Sequence, residues 1–205
     1  MKDNKTFFQK ITYTDGIYPF LVINQIQNPN RLFAFPLIGF LIKTVILIPI
    51  VIEMIFLAIW LFIVVVLINP FVVLITGKYL AHAHFVSVGF IRLYTKISFY
   101  FNGLTDKYPG FGLQNSGDLN FDISLNEKPK RLFAIPILGG LIRFILLIPY
   151  LLFDNIISYA AGIGIFILAW VVVLFRGKYP EGLFELARDS GRVSASAFAY
   201  MLGLS

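Results

Sequence analysis

Four ionisable residues stand inside otherwise apolar stretches: Lys43, Glu53, Arg143 and Asp154. Charge in such a setting is costly, so an ionisable side chain within a membrane helix points by default to an ion path or a lipid contact. Lys43 and Arg143 carry that reading furthest. They occupy the same place in two similar stretches and could line a path or hold a lipid phosphate. The plainer alternative is that each long basic side chain snorkels to the head groups, or that its helix lies shallow. Glu53 and Asp154 read as polar tips where an apolar run folds back, rather than as proton carriers.

Other chemistry is sparse. His82 and His84 are the two histidines, and their i, i+2 spacing puts them on different sides of a helix. No recognised metal-ligand spacing surrounds them, so they read as solvated or interface-anchoring. The chain has no cysteine, which excludes disulfides and thiolate chemistry. The glycine that opens a phosphate-binding GxxxxGK is missing: Val72 stands five before Gly77, and Val172 five before Gly177. Gly162 and Gly164 lie in an apolar run, where with Ala160 they suit close helix packing. Two near-adjacent histidines furnish no Ser-His-Asp arrangement. The expectation is no catalytic residue, no metal and no cofactor.

The stretch that must position these residues occurs twice. Arg31–Tyr79 lies over Arg131–Tyr179 at a shift of 100, without a gap. PNRLFAFP from Pro29 sits over PKRLFAIP from Pro129, Leu47-Ile48-Pro49 over Leu147-Ile148-Pro149, and Gly77-Lys78-Tyr79 over Gly177-Lys178-Tyr179. Arg92 matches Arg192, and Gly103-Leu104 matches Gly203-Leu204. Matched Pro, Gly and Arg at one offset imply a duplication, because apolar composition alone explains only the Leu and Ile. The segments are a polar lead-in at 1–19, a first repeat at 20–104, a linker at 105–119 and a second repeat at 120–205.

Of 205 residues, 58% are hydrophobic and 14% charged, against about 25% charged in a soluble domain. Mean hydropathy is +0.81. This is the composition of an integral membrane protein. The net charge of +6 fits basic residues flanking apolar spans better than nucleic-acid binding. No cleavable signal is expected, since the first thirty residues hold no long apolar core. As one helix, 32–76 would be about twice the roughly 30 Å hydrocarbon thickness. The run is therefore expected to fold back at Glu53, and its copy at Asp154-Asn155. This gives helices near 33–52, 55–76, 133–153 and 156–176, kinked at Pro49 and Pro149. A re-entrant or interfacial first helix is the alternative.

Gly77 and Gly177 suit helix C-caps. Lys78, Tyr79, Lys178 and Tyr179 then read as interfacial anchors. From about 83 to 104, and again around Glu185, Arg188, Asp189, Arg192 and Ser196, polar residues recur at helical spacing. Such helices lie in the interface or dock on their own bundle, with Arg92 and Arg192 as anchors. Short alternating stretches at 20–25 and 120–125 read as strands that could pair. The fold class is thus all-α integral membrane, with two tandem repeats. Each is a transmembrane hairpin plus an interfacial amphipathic helix, with a short strand before it. An even number of spans would orient both copies alike about an axis along the membrane normal. The basic hairpin bases would put the termini in the cytoplasm.

With Gly177-Lys178-Tyr179-Pro180, the spaced Arg92 and Arg192, and Thr105-Asp106-Lys107-Tyr108-Pro109 on the page, the chain resembles a bacterial family of uncharacterised multi-span membrane proteins that share a domain of unknown function. The first copy departs from the pattern, with Leu80 where the second has Pro180. The resemblance covers about 20–205. It implies a tandem fold in the bacterial inner membrane and carries no activity or site residues. The partners expected are membrane lipids and other membrane-protein subunits, with no nucleic acid. Three function classes follow: a non-enzymatic scaffold, assembly subunit or lipid-organising element, which is favoured; a small transporter or channel with a path between repeats; and a lipid-modifying enzyme.

Overall fold

The structure, a computed structural model, describes residues 20–204 apart from 24, 27, 36, 116–118 and 126–128. The polar lead-in at 1–19 lies outside the described residues. The described chain is mostly helical. Strand β1 (Phe20–Ile23) precedes a short turn of helix at Arg31–Ala34, a long helix α1 (Ile38–Thr76) and a second helix α2 (Ala81–Phe101). Strand β2 (Leu119–Asp122), a turn of 3-10 helix at Arg131–Ala134, α3 (Leu138–Arg176) and α4 (Glu181–Met201) follow in the same order. The two expected strands form and pair antiparallel, Phe20 opposite Asp122 and Ile23 opposite Leu119.

The elbow before each long helix is built alike. Phe33 N–H donates to the Asn30 carbonyl and Phe133 N–H to the Lys130 carbonyl, both at 3.1 Å. Leu37 and Ile137 then adopt φ of 66° and 64°. For Ile137 this closes a γ-turn, with Leu138 N–H on the Pro136 carbonyl at 2.7 Å. That conformation is strained for a branched residue. Two residues further on, glycine is needed for a different reason. A Cβ on Gly39 would stand 2.4 Å from the Phe33 carbonyl oxygen, and one on Gly139 2.2 Å from that of Phe133. The helix therefore starts pressed against its own elbow.

The hairpins expected at Glu53 and Asp154-Asn155 do not form. α1 and α3 each run through as a helix of 39 residues. Between Pro49 and Pro70 the chain has no Gly or Pro, so nothing supplies the backbone of a tight turn. Nor do the carboxylates need water at a tip. Glu53 accepts from the Gly112 N–H at 2.9 Å, and Asp154 from the Ser194 hydroxyl at 2.8 Å. Asn155 turns its amide back onto the Leu151 carbonyl of the preceding turn, at 2.7 Å. Each long helix instead absorbs a π-helical segment, Phe62–Ile68 in α1 and Ile165–Ala169 in α3. Pro70 follows the first of these but Trp170 follows the second, so proline is not their common cause.

Of the two positions considered for α2 and α4, they take the one docked on their own bundle. Each packs back antiparallel on the long helix before it. Trp60 meets His82 and Phe40 meets Phe101 on one side; Asp154 meets Ser194 and Arg143 meets Tyr200 on the other. α2 and α4 pack on each other, again antiparallel, with Tyr94 against Phe198 and Phe99 against Gly191. They lie between the ribbon and the long helices. The main core sits here, around Leu21, Phe121, Val65, Ile91, Phe99 and Ala195. α1 and α3 therefore run antiparallel, so no axis parallel to the helices relates them. With one long helix per half, the argument that placed the termini loses its basis.

The elbow yields a direct test. Gly139→Ala or Gly39→Ala must move backbone against backbone, so each is expected to cost about 1–3 kcal/mol, the range of core overpacking. Thermal denaturation in detergent should show a fall in midpoint for both variants, whereas Gly140→Ala, with open space at its Cβ position, should leave it unchanged.

Candidate functional site

The basic pair is buried where a long helix packs on its neighbour. Lys43 is 4% exposed and Arg143 9%. The Lys43 ammonium lies over the rings of Phe33 at 5.9 Å and Tyr100 at 5.6 Å. The Arg143 guanidinium lies over Phe133 at 5.1 Å and Tyr200 at 5.7 Å. These are the same two aromatic positions, 100 residues apart. Neither side chain snorkels outward, so a ring face and a low-dielectric seam replace the head groups. The two sites differ in one respect. Arg143 donates to the Tyr200 carbonyl at 2.7 Å; Lys43 makes no hydrogen bond to a described residue.

Lys43 instead opens onto a cleft of about 300 Å³ between the halves. Its walls are the first elbow and start of α1, the end of α2 with Asp106, and α3 from Gly162 to Val173. Phe35, Phe40, Phe101, Phe166 and Trp170 make most of it apolar. The polar end holds Lys43, Asp106, Asn30 and Asn102. Asp106 accepts from the Asn30 N–H at 2.5 Å. Burial holds its carboxyl above the usual carboxylate range; that N–H and Lys43 act the other way without overcoming it. A second, more polar cavity of about 160 Å³ lies between α2, α3 and α4, lined by Tyr94, Thr95, Ser98, Ser158, Ser190 and Ser194. Asn102, Gly162 and Ile165 border both.

The remaining candidates serve structure. Arg92 and Arg192, expected as interfacial anchors, are strand clamps. Arg92 donates to the Phe121 carbonyl of β2 at 2.8 Å and 3.0 Å, and also to the Leu113 carbonyl. Arg192 donates to the Leu21 carbonyl of β1 at 2.7 Å and to Asp189 at 2.8 Å. Tyr79 and Tyr179 are each 6% exposed, not at a head-group surface. Their hydroxyls reach across to the Leu202 carbonyl at 2.8 Å and the Asn102 carbonyl at 3.4 Å. Burial pushes the Tyr79 phenol up to about 12, and raises that of Tyr179 too. These residues bury because a paired carbonyl satisfies the one polar group that an anchor would leave in water. Lys78 and Lys178 are exposed. Gly77 and Gly177 cap their helices at φ of 70° and 66°, as expected.

Glu53 lies mid-helix with one carboxylate oxygen on Gly112 and the other buried without a partner among the described residues. Asp154 accepts from Ser158 one turn on in its own helix and from Ser194 of α4. The histidines part. His82 is exposed and accepts from the Trp60 indole at 3.3 Å, while His84 meets the Ile123 carbonyl at 2.9 Å. Among the described residues, no group of three His, Asp or Glu could hold a metal ion. Gly164 packs close to Leu183 of α4, and Gly162 faces the open cleft. Asp106 and the ring pairs at Phe33, Tyr100, Phe133 and Tyr200 were not singled out from the sequence. The constant offset of 100 joins both ring pairs to Lys43 and Arg143 and was the signal available. Comparison with family models, with curated proteins and with solved structures finds no match.

Two outcomes follow from this geometry. Arg192→Ala leaves Asp189 buried beside Arg188 alone and orphans a β1 carbonyl, so a loss of about 3–5 kcal/mol is expected. Arg92→Ala, whose acidic neighbour Asp122 is exposed, should cost about 1–3 kcal/mol; paired denaturant unfolding in detergent measures both. For Asp106 the sign runs the other way from a paired carboxylate. Its folded pKa is raised, so the wild type's stability relative to Asp106→Asn should be greatest below the ordinary carboxylate pKa of about 3.9 and decline as pH rises through the raised value. A difference that grows with pH over that window would contradict the burial argument.

Proposed function

We propose that the chain is a non-enzymatic membrane protein that lies in one face of a bilayer and organises lipid or other membrane subunits there. One observation carries this. The outer surface of α1 and α3 is apolar and unpartnered, including Phe40, Ile52, Phe56, Phe62, Ile145, Ile156 and Phe166. Only 22% of the most apolar eighteen residues of each long helix is buried, whereas a helix in a soluble core has most of that stretch covered. Asn120 and Asp122 on the ribbon face outward, and Arg31, Lys78, Lys130, Arg131, Arg176 and Lys178 stand near the ends of the long helices. That distribution fits immersion of one layer in hydrocarbon with the ribbon in water.

Two physical arguments favour lying over crossing. Thirty-nine residues extend about 58 Å at 1.5 Å each, roughly twice the hydrocarbon thickness. Arg92 and Arg192 also seat the ribbon over the middle of α2 and α4. If the helices crossed the bilayer, an open two-stranded edge would sit at mid-depth, where unpaired backbone groups have no water. In the lying arrangement the axis between the halves coincides with the membrane normal. The tandem duplication and the family resemblance belong to the same reading; the recurrence of every element about 100 residues on supports the first. Many of the charged and hydroxyl groups, Arg92, Arg143, Arg192, Asp154 and Thr95 among them, are engaged on backbone carbonyls and neighbouring side chains, which supports a structural rather than catalytic assignment. The polar cavity bordering the cleft favours a transporter as the second reading.

Because the chain has no cysteine, single cysteines report topology cleanly. α1 and α3 run antiparallel, so Lys78 and Lys178 stand at opposite ends of the molecule. Lys78→Cys and Lys178→Cys should both react with a membrane-impermeant maleimide from the same side of sealed vesicles, and the protein should resist alkaline extraction. Labelling from opposite sides would mean two antiparallel spans; release by alkali would end the membrane reading.

A further inference from the structure

The cleft at Lys43 has features that the equivalent place in the second half lacks. Lys43 is buried to 4% exposure, inside a helix that is otherwise apolar for several turns. An ammonium carries three donors. Ring faces stabilise its charge but accept no hydrogen bond in the ordinary sense, and no described residue accepts one. Arg143 meets that need internally, through the Tyr200 carbonyl. Leaving a buried donor unmade costs about 1–3 kcal/mol, more for a charged group. The direction in which Lys43 is left open is the cleft.

Asp106 lines the same cleft and is half-buried. One carboxylate oxygen takes the Asn30 N–H at 2.5 Å; among the described residues nothing donates to the other. Lys43 and Asp106 sense each other's charge, but no ion pair joins them. The cleft therefore presents one cationic donor and one anionic acceptor, held apart. Beyond them the wall is aromatic, and its rim at Leu37, Phe40 and Phe166 is 73%, 53% and 65% exposed. A hydrocarbon chain could enter along that rim without crossing a polar barrier. A volume of about 300 Å³ takes a head group or part of one chain, not the body of a two-chain lipid.

We propose that this cleft binds a zwitterionic amphiphile of the phosphoethanolamine class. Its phosphate lies on the Lys43 ammonium, its ammonium on the free Asp106 oxygen, and its chain runs over Phe40, Phe101 and Phe166 towards the bilayer. A simple anion fits worse, because Asp106 faces it. A simple cation fits worse, because Lys43 does. The inference rests on the long helices lying in lipid, and it names the lipid that they hold.

The test uses the full chain, purified in detergent and offered phosphatidylethanolamine and phosphatidylglycerol of matched chains in equal amounts. Bound lipid is read by native mass spectrometry. The wild type should retain the zwitterionic lipid over the anionic one by about ten-fold, the weight of one charge-assisted hydrogen bond. Asp106→Asn should reverse or erase that preference while still binding the anionic lipid through Lys43. Lys43→Met should lose both, with its thermal midpoint recorded beside it; if Lys43→Met does not fold, Asp106→Asn at the half-buried wall carries the test alone. Arg143→Met serves as the internal control and should keep the wild-type preference. Glycerophosphoethanolamine, the head group without chains, should compete far more weakly than lysophosphatidylethanolamine; equal competition would remove the apolar wall from the proposal. No preference in the wild type, or the same preference in Asp106→Asn, overturns it. Alkaline extraction is a separate readout, so loss of membrane residence and loss of lipid selectivity are told apart.

Discussion

Two arginines hold the fold together by crossing it. Arg92 on α2 clamps the Phe121 carbonyl of β2, and Arg192 on α4 clamps the Leu21 carbonyl of β1. Each half thus lends its strand to the helix of the other. Because β1 and β2 pair antiparallel, this exchange determines that α2 and α4 also run antiparallel. The long helices, each packed back on one of them, then share one side. The elbows and the tyrosines repeat the exchange at the ends. Arg131 lies beside Gly77 and Arg31 beside Gly177, while Tyr79 and Tyr179 each bind the end of the opposite helix. A charge-assisted hydrogen bond to a buried carbonyl is among the stronger polar contacts available, and here its geometry does as much as its strength.

An apolar core is joined here by a set of buried polar groups and by an apolar outer surface. Asp189, Arg192, Ser87, Thr95 and Lys96 are buried, while dozens of Phe, Ile, Leu and Val on the long helices are exposed. Several of the buried polar groups are paired, Thr95 on the Ile91 carbonyl, Lys96 on that of Gln114 and Ser194 on Asp154, while the Ser87 hydroxyl meets no partner among the described residues. Desolvated polar groups cost several kcal/mol when unpaired.

What was legible in the sequence was local. The helix C-caps at Gly77 and Gly177 and the two strands follow from short motifs with their own backbone requirements. What was not legible depended on partners far along the chain. Glu53 looked like a turn because an unpaired carboxylate has no place in an apolar helix, yet the Gly112 N–H, 59 residues away, supplies a partner. Tyr79 and Arg192 looked like head-group anchors by type. They are buried because carbonyls 123 and 171 residues away accept from them. Asp106 drew no attention, since an acid in a Thr-Asp-Lys-Tyr-Pro loop is ordinary until a buried lysine is seen facing the same space.

Near-symmetry makes the departures from it informative. The two halves share the elbow, the ring pair, the strand clamp and the cross-reaching tyrosine, yet Lys43 and Arg143 meet different surroundings. A guanidinium offers five donors in a flat fork and fits the fixed carbonyl at Tyr200 while stacking on Phe133 and Tyr200. An ammonium is a compact charge with three donors that can turn to meet whatever arrives. The half with arginine is closed on itself, and the half with lysine is left open beside an acid in an aromatic cleft. A difference of one side chain between similar frames therefore separates a basic group closed on a backbone carbonyl from one that lines a cleft.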